Sequence, residues 1–143
     1  MARVIQGRAL VGAEAEGEAL VTDEPLSFWG GYDQRTGEII DRRHPLSGRI
    51  AAARVLALPA SRGSSTTTAV LLEAVKLGKA PAAIVTCAVD HFFSLASIVA
   101  DEMYGKPIPI VAVTPEDFAA LKEGRRIRVC RDGTLIVSSG AVL

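Results

Sequence analysis

Short apolar runs separated by glycines, prolines and charges dominate the first part of the chain, and longer apolar stripes follow. The short runs have the length of strands, whereas stripes with a helical period indicate amphipathic helices. The pattern therefore predicts an α/β domain in which strands come first and a βαβ series follows. The strands predicted in the first part are residues 3–11, 18–22, 38–41 and 54–58.

Capping residues mark the elements of the second half. A helix stops at Gly78, a second begins after Asp90 and ends near Gly105, and a third runs from Thr114–Pro115 to Gly124. Buried strands at 82–87 and 108–113 lie between the helices, and Asp132–Gly133 joins strands 126–131 and 134–138 into a hairpin. The residues of the second helix that we expect to face inward are Phe93, Leu95, Ala96, Ile98, Val99 and Met103.

An acidic segment bounded by Gly12 and Gly17 separates the first two predicted strands. Its glycines and charges predict a turn. Glu14, Glu16 and Glu18 alternate along the chain, so an extended segment would point all three into solvent. A metal site made of these carboxylates is the alternative, although hard cations usually take several converging oxygens.

The aromatic loop, residues 22–32, holds Phe28, the single tryptophan Trp29 and the pair Gly30–Gly31. An aromatic residue beside paired glycines suits a loop that packs against a surface. Two interpretations stay open: the loop closes the end of a β-barrel, or it forms a wall of a substrate cleft. Residues 33–37 then predict a turn.

Length and composition indicate one domain without nucleic-acid or membrane partners. A chain of 143 residues, 49% of them hydrophobic, fits a single domain, residues 1–143, with a substantial core. Its 16 basic and 16 acidic residues cancel, which argues against non-specific binding to nucleic acid. No apolar stretch approaches the roughly 18 residues of a membrane span. The N-terminus lacks an apolar signal region, so we expect a cytoplasmic protein.

Two cysteines, Cys87 and Cys130, lie on separate predicted strands and form no CxxC motif. We expect both to be buried free thiols, which fits a reducing compartment. Two thiolates are too few for an iron–sulfur cluster of the usual four-thiolate kind. Any such cluster would have to be carried by another chain.

The most informative stretch is the serine segment, residues 58–68, which joins a predicted strand to the helix that stops at Gly78. It holds one arginine, one glycine and a run of hydroxyl residues. Free N–H groups at a helix start bind a carboxylate, a phosphate or a developing alkoxide, and an arginine adds a forked cationic donor. A plain helix cap is the competing interpretation, and a nucleotide P-loop is excluded because its Gly-Lys-Ser/Thr ending is absent. The candidate site residues of the segment are Arg62, Gly63, Ser64, Ser65 and Thr66.

Six arginines make the region before and within the serine segment basic, although the whole chain is neutral. A solvated rim is the usual interpretation of such a run, and an anionic substrate or an acidic partner surface is the alternative. His44, held out of a helix by Pro45, would alone be a structural loop histidine. We keep Arg43 and His44 as second-rank site candidates. The six are Arg35, Arg42, Arg43, Arg49, Arg54 and Arg62.

Several segments share one family pattern. They are Pro-Ala-Ser-Arg-Gly-Ser-Ser at 59–65, Ala-Val-Leu-Leu-Glu at 69–73, Lys-Ala-Pro-Ala-Ala-Ile-Val at 79–85, Gly-Glu-Ala-Leu-Val-Thr at 17–22, Pro-Leu-Ser-Phe-Trp-Gly-Gly at 25–31 and Asp-Arg-Arg-His-Pro-Leu-Ser-Gly at 41–48. Together they resemble the small, swivel-domain subunit of the aconitase X family. The resemblance runs from about Arg3 to Val137. It implies a swivelling β/β/α barrel-like domain.

The resemblance also implies the chemistry of a hydro-lyase. In aconitases a Gly-Ser-Ser segment brings the catalytic serine to an iron–sulfur cluster held by another domain, which makes Ser64 the catalytic candidate and Ser65 the second choice. Arg62, Gly63 and Thr66 become candidates for binding a small anionic substrate. The cluster would be bound by a large partner subunit, and this chain would bind no metal itself.

Two substrates follow from the family, and a different class of function stays open. One substrate is cis-3-hydroxy-L-proline, which the flanks of the serine motif favour, and the other is mevalonate 5-phosphate. The other class is a non-catalytic regulatory module that uses the serine segment only to bind an anion. A neighbouring gene for a cysteine-bearing large subunit would favour the hydro-lyase.

Overall fold

Eight strands form one mixed sheet in the order β1-β8-β7-β3-β4-β5-β6-β2. The computed structural model describes residues 3–62 and 66–138. The order places β1 and β2, which are consecutive in the chain, at its opposite ends. The strands are β1 (Arg3–Gln6), β2 (Arg8–Val11), β3 (Ala15–Val21), β4 (Val55–Ala57), β5 (Ala83–Thr86), β6 (Ile110–Ala112), β7 (Arg126–Val129) and β8 (Thr134–Val137).

Gly7 joins the two ends of the sheet, so the sheet curls into a barrel-like form. The sequence pattern predicted one strand over residues 3–11, and this prediction is wrong because the chain changes partners at Gly7. β1 pairs with β8, whereas β2 pairs with β6. A Cβ atom at Gly7 would contact the Val111 side chain and lie 2.8 Å from the Gly133 carbonyl oxygen. Only glycine fits this junction without displacing its neighbours.

Parallel pairing in the centre of the sheet sets the position of the helices. β3, β4, β5 and β6 are parallel neighbours, and each connection between the last three crosses over through a helix. The helices are α1 (Thr66–Lys76), α2 (His91–Tyr104) and α3 (Pro115–Ala119). The α/β, barrel-like arrangement predicted from the sequence is therefore confirmed.

The hydrophobic core has two parts, one on each face of the central strands. Leu56 and Ile84 face the layer formed by α1 and α2, where Phe93 lies fully buried. Neighbouring residues Val55 and Val85 point the opposite way, into a core lined by strands from around the barrel. This alternation explains why the central strands are apolar throughout, as expected for strands covered on both faces.

Three predicted elements need correction, two in the first part of the chain and one in the second half. The acidic segment is not a turn, because β3 already begins at Ala15, although Glu14, Glu16 and Glu18 are exposed as expected. Residues 38–41 form no strand and make only isolated bridges from Glu38 and Ile39. β6 is also shorter than the predicted 108–113.

The predicted inward face of α2 is correct for Phe93 and Ala96, which are buried, and wrong for three larger residues. Leu95, Ile98 and Met103 are about half exposed, at 49%, 52% and 58%. The buried residues are Phe93, Ala96, Ser97 and Ala100, which follow a helical period and are mostly small. Small residues let α2 lie close to its neighbours, so the larger side chains are displaced to the outer face.

The predicted helix caps agree with the structure better than the predicted buried face of α2 does. Asp90 and Gly105 bound α2 as expected, and Thr114 accepts a hydrogen bond from Asp117 N at the start of α3. α3 ends at Ala119, so the predicted end at Gly124 is wrong. The hairpin of β7 and β8 is confirmed.

Candidate functional site

The serine segment begins at the carboxyl end of β4, beside the aromatic loop. Ser61 forms a parallel bridge with Leu26, and Arg62 N donates a hydrogen bond to the Leu26 carbonyl oxygen at 2.9 Å. The aromatic loop thus runs alongside the entry to the serine segment. Loops at the carboxyl ends of parallel strands are the usual place for ligand sites in α/β folds.

A cleft of about 420 Å³ lies between these two loops and the turn that holds His44. Arg43, His44 and Arg62 all line it, so the structure brings together three predicted site residues from two separate segments. Glu24 and Asp41 also line the cleft and were not predicted, because a single carboxylate in a loop gives no recognisable sequence signal. The remaining lining residues are Pro25 and Ser27.

The two arginines of the cleft keep their charge available. Neither Arg43 nor Arg62 forms an ion pair with any residue in the ranges 3–62 and 66–138. Both side chains are exposed. Two guanidinium groups at one cleft suit a carboxylate or a phosphate, which they can bind through paired N–H donors.

His44 is held by backbone groups on both of its ring nitrogens. The residue is only 7% exposed, Nδ1 accepts a hydrogen bond from Leu46 N at 3.1 Å, and Nε2 lies 3.4 Å from the Glu24 carbonyl oxygen. With Nδ1 as the acceptor, Nε2 carries the proton that points to that carbonyl. These contacts favour a role for His44 in joining its turn to the aromatic loop.

The remaining predicted site residues divide into two groups. Thr66 is the first residue of α1, is half-buried, and is not one of the described residues that line the cleft. Gly63, Ser64 and Ser65 lie outside the described residues. The assignment of Gly63 to substrate binding and of Ser64 and Ser65 to catalysis stays a prediction.

Different residues of the aromatic loop contact the helix-side core and the cleft lined by Arg43 and Arg62, and its two interpretations stay predictions. Phe28 is fully buried, stacks on Tyr32 and meets Phe93 edge to face, so it helps to close one side of the core. Ser27 lines the arginine cleft. Trp29 is 71% exposed and lines a separate cavity of about 450 Å³.

The described residues do not fit an iron–sulfur cluster. Within them, no group of three or more His, Cys, Asp or Glu side chains is placed to hold a metal ion. Cys87 and Cys130 are free thiols, as predicted, but both are half-buried and each follows the end of a strand. Burial raises the pKa of the Cys87 thiol, which disfavours the thiolate that metal binding requires.

A barrel-like sheet covered by two helices, with an arginine-lined cleft beside the serine segment, defines a small α/β domain of the swivel type. A family model described as the aconitase X swivel domain matches residues 4–137. The chain belongs to this family. In the ranges 3–62 and 66–138, no helix has the length and apolar character needed to cross a membrane.

Named relatives fall into two groups by length. The chain is 48% identical over 112 residues to the cis-3-hydroxy-L-proline dehydratase of Pseudomonas aeruginosa, covering 78% of this chain but only 19% of that protein. It is 37% identical over 132 residues to the phosphomevalonate dehydratase small subunit of Thermococcus onnurineus, covering 92% of this chain and 95% of that subunit.

A solved structure confirms the fold. The chain resembles a chain in the crystal structure of Thermococcus kodakaraensis aconitase X (holo-form), with a TM-score of 0.85 and 32% sequence identity. The match covers 96% of this chain and 99% of that one. The predicted swivel-domain fold is therefore confirmed.

Proposed function

We propose that this chain is the swivel component of a hydro-lyase of the aconitase X family and acts with a large partner subunit. The observation that carries the proposal is the cleft in which Arg43 and Arg62 lie without ion pairs among the described residues, directly beside the serine segment. Membership of the family supplies the reaction class. The free thiols of the chain suit a reducing compartment such as the cytoplasm.

Dehydration of a β-hydroxy acid needs a base for the C–H proton, a Lewis acid for the departing hydroxyl and an anchor for the anion. We assign the base to Ser64, with Ser65 as the second choice, and the anchor to Arg62 with Gly63 and Thr66. A serine alkoxide needs stabilisation, which a helix N-terminus and a neighbouring guanidinium both supply. We assign the Lewis acid to an iron–sulfur cluster on the partner, because the described residues here do not fit one.

The proposed substrate is cis-3-hydroxy-L-proline, and mevalonate 5-phosphate is the second candidate. The 48% identity to the Pseudomonas dehydratase favours the first. The match covers 95% of the archaeal small subunit, which favours a two-subunit enzyme and supports mevalonate 5-phosphate as the second candidate substrate. Both molecules carry a carboxylate and a hydroxyl on the carbon β to it, so a cleft lined by two arginines suits either.

The test is co-expression of this chain with its large subunit, followed by dehydratase assays on both substrates. We expect turnover of one substrate, and we expect Ser64→Ala to abolish that turnover while the complex still assembles. Loss of one helix cap costs about 1 kcal/mol of stability, which a domain of this size can absorb.

Two results would decide against the proposal. Anion binding by the complex without turnover of either substrate would favour the non-catalytic module. Near-normal activity of Ser64→Ala would remove Ser64 from the reaction, and Ser65→Ala would then be the next variant to measure. Size-exclusion chromatography of each variant with the large subunit checks that assembly is intact.

A further inference from the structure

Asp90 does more than begin α2, because its two carboxylate oxygens serve different parts of the chain. Oδ1 accepts hydrogen bonds from Phe92 N at 3.0 Å and Phe93 N at 3.1 Å, which caps the helix. Oδ2 accepts hydrogen bonds from Ser61 N at 2.8 Å and from Ser61 Oγ at 2.7 Å. One carboxylate therefore holds both the first turn of α2 and the start of the serine segment.

Another hydrogen bond connects the far side of the serine segment to the same turn. Thr68 Oγ1 donates to the Phe92 carbonyl oxygen at 3.3 Å. Ser61 and Thr68 lie on either side of the predicted catalytic serines, so both flanks are attached to the first turn of α2. The Arg62 backbone is fixed as well, through its hydrogen bond to the Leu26 carbonyl oxygen.

These contacts exceed what a helix cap requires. Thr114 caps α3 through a single hydroxyl group that contacts Asp117 N. Asp90, a residue that is only 8% exposed, instead places its carboxylate at the junction of two segments far apart in sequence. Burying a carboxylate is costly unless several donors compensate, and hydrogen bonds to a charged acceptor are among the strongest in proteins.

We propose that Asp90 is a positioning residue that fixes Ser61, three residues before the predicted catalytic Ser64, against α2. The role in catalysis rests on the proposed function, whereas the anchoring itself does not. Asp90 acts through Ser61 and not on the substrate. A displacement of about 1 Å at a reacting group can lower a rate about a hundredfold, so such an anchor has a direct kinetic consequence.

Asp90→Asn separates the two tasks of the side chain. The amide oxygen of asparagine still accepts from Phe92 N and Phe93 N, and asparagine is itself a good helix cap. The amide NH₂ cannot accept from Ser61 N. Ser61→Ala removes only the hydroxyl contact, and Thr114→Ala is the matched control because it removes a helix cap elsewhere.

Hydrogen exchange of this chain, measured over the peptide that spans the serine segment, tests the anchoring without any assay of activity. We expect exchange there to be about tenfold faster in Asp90→Asn, less affected in Ser61→Ala, and unchanged in Thr114→Ala. Exchange in Asp90→Asn equal to that of the parent overturns the proposal.

Kinetics of the assembled enzyme test the consequence. We expect kcat of Asp90→Asn to fall by about tenfold or more while KM changes much less, because Arg62 still binds the substrate. Faster exchange with an unchanged kcat would overturn the positioning role. If the parent turns over neither substrate, the proposed function fails, and the exchange experiment still decides the anchoring.

Discussion

At the scale of single residues, the proposed site has a cation, Arg62, two positions before the predicted base Ser64 in the sequence. Arg62 has an exposed side chain at the cleft, while its backbone is fixed to Leu26. Its guanidinium is thus attached to an ordered part of the chain and remains available to a ligand. Arg43 approaches the same cleft from another turn.

We expect Arg62→Lys to restore little of the activity lost in Arg62→Ala. Lysine keeps the charge but loses the planar, two-pronged donor that matches a carboxylate or phosphate. Both variants should raise KM and lower kcat, because one group serves substrate binding and the stabilisation of the Ser64 alkoxide. Steady-state kinetics at equal cluster loading measure this. An unchanged kcat/KM in Arg62→Ala would show that Arg62 is only a solvated loop residue.

Burial of Tyr32 makes the stability of the chain fall at alkaline pH. Burial raises the pKa of the Tyr32 phenol above its ordinary value, and its OH donates a hydrogen bond to the Lys79 carbonyl oxygen at 2.7 Å. The folded chain therefore keeps the proton when the unfolded chain releases it. The contribution of the buried Tyr32 phenol to stability is complete below the ordinary tyrosine pKa of about 10 and is lost as the pH rises beyond it.

We expect Tyr32→Phe to reduce this loss of stability above about pH 10, because phenylalanine cannot ionise. At neutral pH the variant should cost about 1 kcal/mol, since the Lys79 carbonyl loses its donor. Urea unfolding at neutral pH and above about pH 10 measures the two effects, with Tyr104→Phe as the control. An alkaline dependence equal to that of the parent would contradict the prediction.

At the scale of elements, α2 packs one face against the core and exposes the other. Phe93 is fully buried against the aromatic loop, whereas Ile98, on the same helix, is 52% exposed. Both side chains are large and apolar, so composition alone does not distinguish them. Their different surroundings lead to very different costs of truncation.

Phe93→Ala should destabilise the chain by about 3–5 kcal/mol, because it leaves a cavity in the core. Ile98→Ala is the matched control on the same helix and should stay within about 0.5 kcal/mol of the parent. Chemical denaturation of both variants measures the difference. Equal losses of stability would mean that the outer face of α2 is covered in solution.

Local chemistry allowed many of the elements to be predicted. Asp90, Gly105 and Thr114 act through neighbouring backbone groups, and such caps depend on a few adjacent residues. The exposure of Leu95, Ile98 and Met103 on α2 could not be predicted in the same way, because the inner face of the helix is selected by the close approach of the packed layer. Gly7 splits a continuous apolar run for a similar reason, since its partners are distant in the chain.

In the candidate site, individual residues could be predicted from the sequence, but a long-range contact could not. Arg62 stands in the motif itself, and Arg43 and His44, which were proposed from the basic region, line the same cleft. The contact between Asp90 and Ser61 could not be predicted, since a helix-capping aspartate has the same sequence signal whether or not it holds a second segment. Long-range contacts of this kind depend on the folded topology.

At the scale of the whole molecule, we expect this chain alone to show no dehydratase activity and to bind no stoichiometric iron. The described residues place no group of three metal ligands together, and the usual cluster needs four thiolates. Metal analysis and activity assays of the purified chain measure this, with the co-expressed complex as the control. Iron at one cluster per chain would contradict the prediction.

Pairing of β1 with β8 places Arg3 directly opposite Val137, so the two ends of the described chain lie side by side. A domain with adjacent ends can be connected to another protein at a single point without disturbing its strands. The same barrel is thus suited to two genetic arrangements, an independent gene or a segment fused within a longer one. Its relatives show both, since the match covers 95% of the Thermococcus onnurineus subunit and 19% of the Pseudomonas aeruginosa protein.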